Sequence, residues 1–499
     1  MTEILARLTA PSAYRYASCE ILEDYGRQLR ELIAYIKQPR TTADIATAAE
    51  FLLDNLDPSL HSASYLFVLH AEIKNHSTKY SKHPPDVLQP GQRLWSKAVE
   101  CLSVFDPVQV RYAGYEWRQL IELVAQAAQA TSKTFLAVQV IKNAILRLDP
   151  SSSTFTSTHV LFAKICLSTK SYRHALPVLD KTMCYLPPDT VQCPRVGHGG
   201  LLCSEHESNA SYITFCSGLS ANLTHRDHLE YFLYGAMIYM ALKDWDRALH
   251  FLSIVISCPV TNAVSMIMIQ GYKKWLLVSL LGKGRVVTPP EIISPHVMKV
   301  YQSMTLPYRS LACAFENGDV KILQAEIDAG QKIWAADHNM GLVVQTIRAL
   351  RRSVIVRLGK TFSALATLDV GPRIASFPVS AAELEALISS MLMSEGLGST
   401  LLHSQSHDRH TMLRFQVERT PRSIREGAIQ FLIDLENRSL STLACKIDQS
   451  NHDLGLTSEQ LQFIRRAKNS AELGYQKGGM TFSDDTVNQD IDEDIMGDH

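Results

Sequence analysis

The sequence predicts a mostly α-helical protein, in which an N-terminal α-solenoid of helical hairpins runs into a winged-helix subdomain and then into C-terminal helices. Three observations predict this order. A helical hairpin is readable at Leu229–Pro259, a related pattern occurs at His159–Pro187, and residues 340–415 give three helices followed by two strand-like runs. We therefore expect the solenoid over residues 1–345 and the winged helix over 346–417.

The Leu229–Pro259 stretch sets the pattern for the solenoid. Apolar residues recur at helical spacing on both sides of a polar break at 243–244, and two helices joined by so short a turn lie antiparallel. Gly235 and Ala248 are small enough to let the helices approach closely, and Trp245 can fill the turn. These positions are typical of tetratricopeptide-like repeats. One hairpin cannot bury its own apolar faces, so neighbouring hairpins must stack on both sides.

Amphipathic helices are also predicted before this hairpin. Apolar residues that step by three or four indicate helices over 21–36, 45–56, 63–74, 117–124 and 135–148. The first two end before Pro39 and Pro58, which disfavour helix at the preceding residue. Polar residues predict a connector at 75–91 and a Ser/Thr-rich loop at 151–158.

The His159–Pro187 pattern repeats the hairpin, with small residues in matching places. Ala163 and Ala236 are 73 positions apart, about two repeat lengths. The intervening segment 187–222 is rich in Pro, Gly, Cys, Ser and Asn. A segment of that length and composition indicates a long loop insertion into the solenoid.

The winged-helix prediction depends on the order of elements after residue 339. We expect a helix at Met340–Arg357, a shorter helix at 362–368 that Gly371-Pro372 breaks, and a third helix from Ala381 to Met393. Two short strands should follow at 399–403 and 411–415. Just before this region, a turn at 315–319 should lead into a helix that carries Ile322, Ile327 and Ile333.

The C-terminal region divides into an apolar and an acidic part. Residues 418–476 are predicted as assembly helices, because Thr420-Pro421 is a typical helix start and apolar residues continue through Ile447. Residues 477–499 carry seven acids and one base. With few large apolar groups, this tail is predicted to be disordered.

Composition narrows the class of protein. The 499 residues carry a formal net charge of −1, so the chain as a whole lacks the basic character of a nucleic-acid-binding protein. The ten cysteines include no CxxC pair, and no secretory leader is readable at the start. The most apolar stretch, 264–281, is interrupted by Lys273-Lys274, so no membrane span is expected. These features predict an intracellular protein with free thiols.

Two histidine- or cysteine-rich segments raise the question of a metal. His403, His407 and His410 fall in the predicted wing turn, and a polar turn explains them more simply than zinc. The insertion holds a second set without the paired spacing of zinc fingers, so free thiols are preferred there. That set is Cys193, His198, Cys203, His206 and Cys216. We expect no metal, no cofactor and no catalytic residue.

A DNA-binding function is the alternative that a winged helix invites. Basic residues lie along the helix at 340–357, but the candidate recognition helix, 381–393, carries Glu383 and Glu385 and no base. Recognition helices present Arg, Lys, Asn or Gln to base edges, and two carboxylates would repel phosphate. A protein contact or a solvated face is therefore the preferred interpretation.

A helical array that runs into a winged helix resembles the PCI family, whose members scaffold the proteasome lid, the COP-9 signalosome and a translation initiation factor. The residues that carry the resemblance are Tyr234–Tyr239, Trp245–Leu249, Gly271–Leu280 and Asn339–Val343, with 358–368 continuing it. Within the family the chain is most similar to signalosome members. The resemblance is good over 159–370, weaker elsewhere, and does not extend to the insertion.

The resemblance implies a non-catalytic scaffold with a PCI domain over about residues 225–417. Its complex would remove the ubiquitin-like protein Nedd8 from cullins and so regulate cullin-RING ubiquitin ligases. The first and eighth signalosome subunits are the implied neighbours. A proteasome-lid scaffold and a winged-helix nucleic-acid adaptor are the alternatives.

Partner contacts are expected at two places. Family members join through winged-helix edges, and the strand 411–415 is predicted to be such an edge, able to pair with a neighbour's backbone. They also join through C-terminal helices, and the apolar face after Thr420 exceeds what its own short partner helix could cover. The expected partner-binding residues are Met412, Phe415, Ile424, Phe431, Leu435, Leu443 and Ile447.

Overall fold

A computed structural model describes most of the chain before residue 416 and part of the chain after it. The described residues are 2–10, 19–76, 86–187, 212–259, 264–374, 381–395, 399–402 and 411–415, and then 430, 433–445, 447–448 and 451. Contacts divide the chain into two compact units, Met1–Arg419 and Thr420–His499.

The described part of the chain before residue 180 consists mainly of helices joined by turns, as predicted. Each of the five expected helices is present. The helices are α1 Thr2–Leu8, α2 Cys19–Ile36, α3 Pro39–Asn55, α4 Ser62–His76, α5 Arg93–Val104, α6 Pro107–Val110, α7 Gly114–Ala130, α8 Thr134–Leu148, α9 Ser157–Ser168 and α10 Tyr172–Leu179.

Helices α5 and α6 were not expected from the sequence. Helix α5 buries Leu94, Trp95 and Leu102 against its neighbours. The short helix α6 starts with Pro107, whose fixed φ suits a first turn, and the Asp106 side chain accepts a hydrogen bond from the Val108 N–H. That bond satisfies one of the donors that a helix start leaves open.

The central hairpin has the predicted form. It consists of α11 His225–Leu242 and α12 Trp245–Ile256, and α13 Met266–Lys283 follows. Lys243 turns the chain with a left-handed backbone, φ 63°. The Asp244 side chain then accepts from the Arg247 N–H and opens the second helix.

Glycines set the closeness of these three helices. A Cβ at Gly235 would lie 2.6 Å from the Phe251 ring, so α11 meets α12 through a site that only hydrogen can fill. A Cβ at Gly282 would lie 2.6 Å from the Trp245 Cβ. Trp245 therefore packs on α13 as well as at the turn, and the array is tight from one helix to the next.

Four further helices complete the array. Gly318 takes a left-handed φ of 81° at the predicted turn, and Asp319 caps the next helix. Ile322 and Ile327 lie on that helix as predicted, but Ile333 lies on the following helix, so the prediction that one helix carries all three is wrong. The helices are α14 Pro295–Met304, α15 Leu306–Asn317, α16 Val320–Ala329 and α17 Gln331–Ala336.

The elements after residue 339 follow the winged-helix order with one more strand than predicted. The three strands form an antiparallel sheet in the order β1-β3-β2. The elements are α18 Met340–Thr361, β1 Ala364–Ala366, α19 Thr367–Ile374, α20 Ala381–Glu395, β2 Ser399–Leu402 and β3 Met412–Phe415.

The helix predicted at 362–368 is wrong. The middle of that segment is strand β1, and the helix begins only at Thr367 and continues through Gly371-Pro372. A Cβ at Gly371 would lie 2.9 Å from Leu384 Cδ2. Glycine therefore lets α19 approach α20 without displacing the end of the Leu384 side chain, and tertiary packing outweighs the helix-breaking tendency of the pair.

Helix α18 belongs to two hydrophobic cores. Its first half adds Val343 and Leu350 to the core of the helical array. Its second half adds Ile355 and Leu358 to a separate core that also holds Val370, Leu384, Ile388, Met391, Leu392, Leu413 and Phe415. The two hydrophobic cores thus share one continuous helix. The exact domain limits 1–345, 346–417 and 418–476 stay predictions.

Candidate partner interface

Strand β3 presents one buried and one exposed face. Leu413 and Phe415 point into the winged-helix core, whereas Met412 is 43% exposed. A Cβ at Gly359 would lie 2.8 Å from the Phe415 ring, so this ring is pressed against α18. Phe415, expected to bind a partner, is 9% exposed and serves the core of its own chain.

The prediction that 411–415 forms a sheet edge is wrong. Strand β3 is central: Leu413 pairs with Leu365 on one side and with Leu401 on the other. Its ends are also bonded, since the Phe415 N–H donates to the Ser363 carbonyl at 2.9 Å. The outer edges of the sheet are β1 and β2, so any backbone pairing with a partner would occur there.

The outward face of the sheet carries an apolar rung. Met412 lies opposite Leu402 and Ala366 in register, and the Leu402 side chain is 48% exposed. Side chains directly opposite each other on neighbouring strands are close enough to act as one surface. Met412 therefore remains available to a partner through its side chain.

The second unit contains a helix at 433–445 on which every described residue is exposed. Four of its apolar side chains expose between half and two-thirds of their surface: Ile433 53%, Leu435 51%, Leu440 63% and Leu443 56%. Just beyond it, Ile447 is 51% exposed. Most protein helices are stabilised by the packing of an apolar face rather than by helix propensity. The apolar side chains of this helix could therefore be buried against another surface.

Other expected site residues lie outside the described residues. These include Ile424 and Phe431 of the C-terminal face, and His403, His407 and His410 of the wing turn. In the insertion, Cys193, His198, Cys203 and His206 also lie outside, and Cys216 is exposed. Within the described ranges, no group of three or more His, Cys, Asp or Glu side chains is placed to hold a metal ion.

A buried polar network joins two of the segments that carry the family resemblance. The Lys274 Nζ donates to the Asn339 Oδ1 at 2.5 Å, and the Asn339 amide donates to the Tyr308 hydroxyl at 2.8 Å. Lys273 Nζ reaches both carboxylate oxygens of Asp337 at 2.8 Å. The Tyr308 hydroxyl and the Gln270 amide donate to the same carboxylate. The network ties α13, α15 and the turn before α18 together.

Burial and hydrogen bonding shift the pKa values of two groups in this network. Burial lowers the pKa of Lys274 to about 8, because the ammonium is removed from water. Burial by itself would raise the pKa of Asp337, but hydrogen bonds from Lys273, Gln270 and Tyr308 outweigh it and hold the pKa of its carboxyl below the ordinary value.

In the sequence, Lys273-Lys274 predicted only that this helix does not cross a membrane. Indeed, no helix in the part of the chain that is described has the length and apolar character of a bilayer span.

Comparisons with known proteins show which family the chain is similar to. The family described as "COP9 signalosome complex subunit 3, N-terminal helical repeats" matches residues 26–297. A protein named COP9 signalosome complex subunit 3 from Emericella nidulans is 42% identical over 500 residues, covering 100% of both chains. Proteins of the same name from Drosophila melanogaster and Neurospora crassa are 26% and 23% identical. The first alignment covers 75% of this chain and 80% of the relative, the second 98% of each.

Proposed function

Because this chain belongs to the COP9 signalosome subunit 3 family, we propose that it is a non-catalytic scaffold subunit of the COP9 signalosome. The complex would remove Nedd8 from cullins and so regulate cullin-RING ubiquitin ligases, which this chain would meet only indirectly. The single observation that carries the proposal is the 42% identity that extends over the whole chain. The proposed neighbours are the first and eighth subunits, and the proposed locations are nucleus and cytoplasm.

The C-terminal helix is the main proposed assembly element. Leu435, Leu440 and Leu443 each expose more than half of their surface. Moving a leucine from full exposure to full burial is worth about 1.5–3 kcal/mol. These side chains are a little more than half exposed, so each would contribute roughly half of that value when a helix of another subunit covers it. Phe431 and Ile424 belong to the same proposed apolar face in the sequence.

The winged-helix sheet is the second proposed contact. Strand β2 is an outer strand, and the apolar rung of Leu402 and Met412 lies beside that edge. A partner strand added to β2 would form backbone hydrogen bonds and cover Leu402 at the same time. Strand β3 would hold the sheet together and contribute only the Met412 side chain.

Reconstitution with purified signalosome subunits tests the proposal. The variant carries Leu435→Asp and Leu443→Asp, and the matched control is Phe51→Asp, since Phe51 is an exposed apolar residue of α3. We expect the double variant to elute apart from the other subunits in gel filtration, because charges placed in a helix seam are costly to bury. Cullins should then keep Nedd8 in a deneddylation time course. Normal co-elution with full activity would overturn the assembly role of this helix.

A further inference from the structure

The last part of the insertion packs against the helical array. We name residues 212–221 the strap. Ile213 is 2% exposed and Leu219 is 1% exposed, and both side chains belong to the hydrophobic core of the array. Connecting loops usually run over the surface of a protein, so these two buried side chains make the strap a packed part of the array.

The start of α7 meets the strap backbone to backbone. A Cβ at Gly114, the first residue of α7, would lie 2.9 Å from the Leu219 nitrogen and closer still to the Ser217 carbonyl oxygen. On the strap, Gly218 has a left-handed φ of 77°, and a Cβ there would lie 2.7 Å from the Tyr115 nitrogen. Glycine is the residue that permits so close an approach, so this contact has no room for a side chain on either side.

Two arginines hold the strap from the same side. The Arg118 Nε donates to the Gly218 carbonyl oxygen at 3.2 Å. Arg111 is buried, and its guanidinium carbon lies 4.0 Å from the centroid of the Tyr212 ring. The attraction between a cation and an aromatic face is stronger where water is removed. The strap is thus fixed at its first residue and near its middle.

The far end of the strap bonds to the start of α9. The Ser157 N–H donates to the Ser220 Oγ at 3.1 Å, and the Ala221 N–H donates to the Ser157 Oγ at 3.0 Å. Ser157 is the first residue of α9, and the first N–H groups of a helix have no acceptor within the helix. The strap therefore supplies an acceptor that α9 cannot supply for itself.

We propose that the strap is a clamp between two successive helical hairpins, α7–α8 and α9–α10, which transmits a displacement at the start of α7 to the start of α9. The stability of a repeat array is approximately the sum of terms within repeats and terms between neighbouring repeats. The strap adds a term between neighbours that comes from the insertion rather than from helix-on-helix packing. This inference concerns the array alone and does not depend on the function proposed above.

Gly114→Ala tests the clamp from the α7 side. Alanine favours helix more than glycine does, so any loosening must come from the strap that the new methyl group displaces. We expect hydrogen exchange in peptides covering 155–160 and 218–223 to become at least about tenfold faster, and the melting temperature to fall. Gly341→Ala is the matched control, because Gly341 lies in the first turn of α18 and a Cβ there would meet nothing within 4 Å. It should leave exchange in both peptides unchanged.

Ser220→Ala tests the clamp from the α9 side without adding volume. It removes the acceptor of the Ser157 N–H, so exchange should rise over 155–160 and also, through the strap, over the start of α7 at 111–118. This milder change decides the question if Gly114→Ala does not fold. In either variant, a rise confined to the helix next to the changed residue would mean that the two helices open independently, and it would overturn the proposal.

A double-mutant cycle of Gly114→Ala with Ser157→Ala gives a second readout. Ser157→Ala removes the hydroxyl that accepts from the Ala221 N–H and should lower the melting temperature on its own. In the Gly114→Ala background the strap is already displaced, so the same change should lower the melting temperature no further. Substitutions at sites that share no partner have additive effects. Additive falls in the melting temperature would therefore show that no clamp joins the two helices.

Discussion

Helix α12 and the helix at 433–445 are both apolar in sequence, but they use those residues differently. In α12, Leu252 and Val255 are fully buried between neighbouring helices of the same chain. In the second helix, Leu440 and Leu443 are each more than half exposed. A helical apolar period thus shows that a helix has a face to bury, but not whether the covering surface belongs to the same polypeptide.

The difference in burial between these two helices depends on whether another helix of the same chain packs against each of them. The α11–α13 stack is close because Gly235 of α11 and Gly282 of α13 allow side chains of α12 into van der Waals contact. In its own unit, the helix at 433–445 has no described residue that is buried. We infer that the first region is stabilised by its own chain and the second by assembly, and four substitutions sharpen or break that comparison.

The largest effect is expected from Leu252→Asp. Leu252 is fully buried in α12, so the new carboxylate would be buried without a partner while packing is lost. We expect a loss of about 4 kcal/mol or more, large enough to unfold the array. Urea titration followed by circular dichroism measures it, and a normal unfolding midpoint would mean that α12 does not form the inner layer of the stack.

The next effect concerns pH and Lys274. The folded pKa is about 8 against 10.5 for the free side chain, so below pH 8 the full penalty of burying the charge is present. Between these values the unfolded chain holds the proton that the folded chain has released, and stability should rise with pH. The rise should total about 3 kcal/mol at most.

Comparison with Lys274→Met isolates this contribution. Unfolding free energies are measured in urea at several pH values across the interval between the folded pKa of about 8 and the unfolded value of 10.5. The slope against pH should be steeper for the unmodified chain than for Lys274→Met. Tyrosines outside the network ionise alike in both proteins, so their contribution cancels in the difference. Identical slopes would show that Lys274 keeps an ordinary pKa in the folded state.

A smaller effect is expected from Ala248→Trp. Ala248 is fully buried where α12 meets its neighbours, and inserting a large ring into a packed site costs about 1–3 kcal/mol. Ala325→Trp is the matched control, because Ala325 is an exposed helical alanine on α16. The thermal midpoint should fall for the first variant only, and equal midpoints would place Ala248 outside the core.

The sequence predicted the helical hairpins because their signals are local. Spacing of apolar residues, the turn at Lys243 and the small residue Gly235 all lie within one short stretch. Helix α5 was missed although Leu94 and Leu102 share its buried side. The helical spacing of its apolar residues was present in the sequence and was sufficient to predict α5.

The sheet was predicted less well because its order depends on distant pairing. Strand β1 is Ala364–Ala366, and Ala and Leu favour helices, so nothing local indicates a strand. Without β1, β3 is counted as an edge. The contact of Lys274 with Asn339 spans 65 residues and likewise has no local signal.

The smallest effect on stability is expected from Leu440→Asp. Leu440 is 63% exposed, so the carboxylate stays in water and the unfolding free energy should change by no more than about 0.5 kcal/mol, as for surface substitutions in general. Leu252→Asp makes the same chemical change in the array, so the two variants differ only in where the leucine lies. If the isolated Leu440→Asp chain melts like the unmodified chain and recovers fewer signalosome partners, the apolar face at 433–445 serves assembly. If it melts as early as Leu252→Asp, that face is covered by its own chain, and the contrast between the two helices fails.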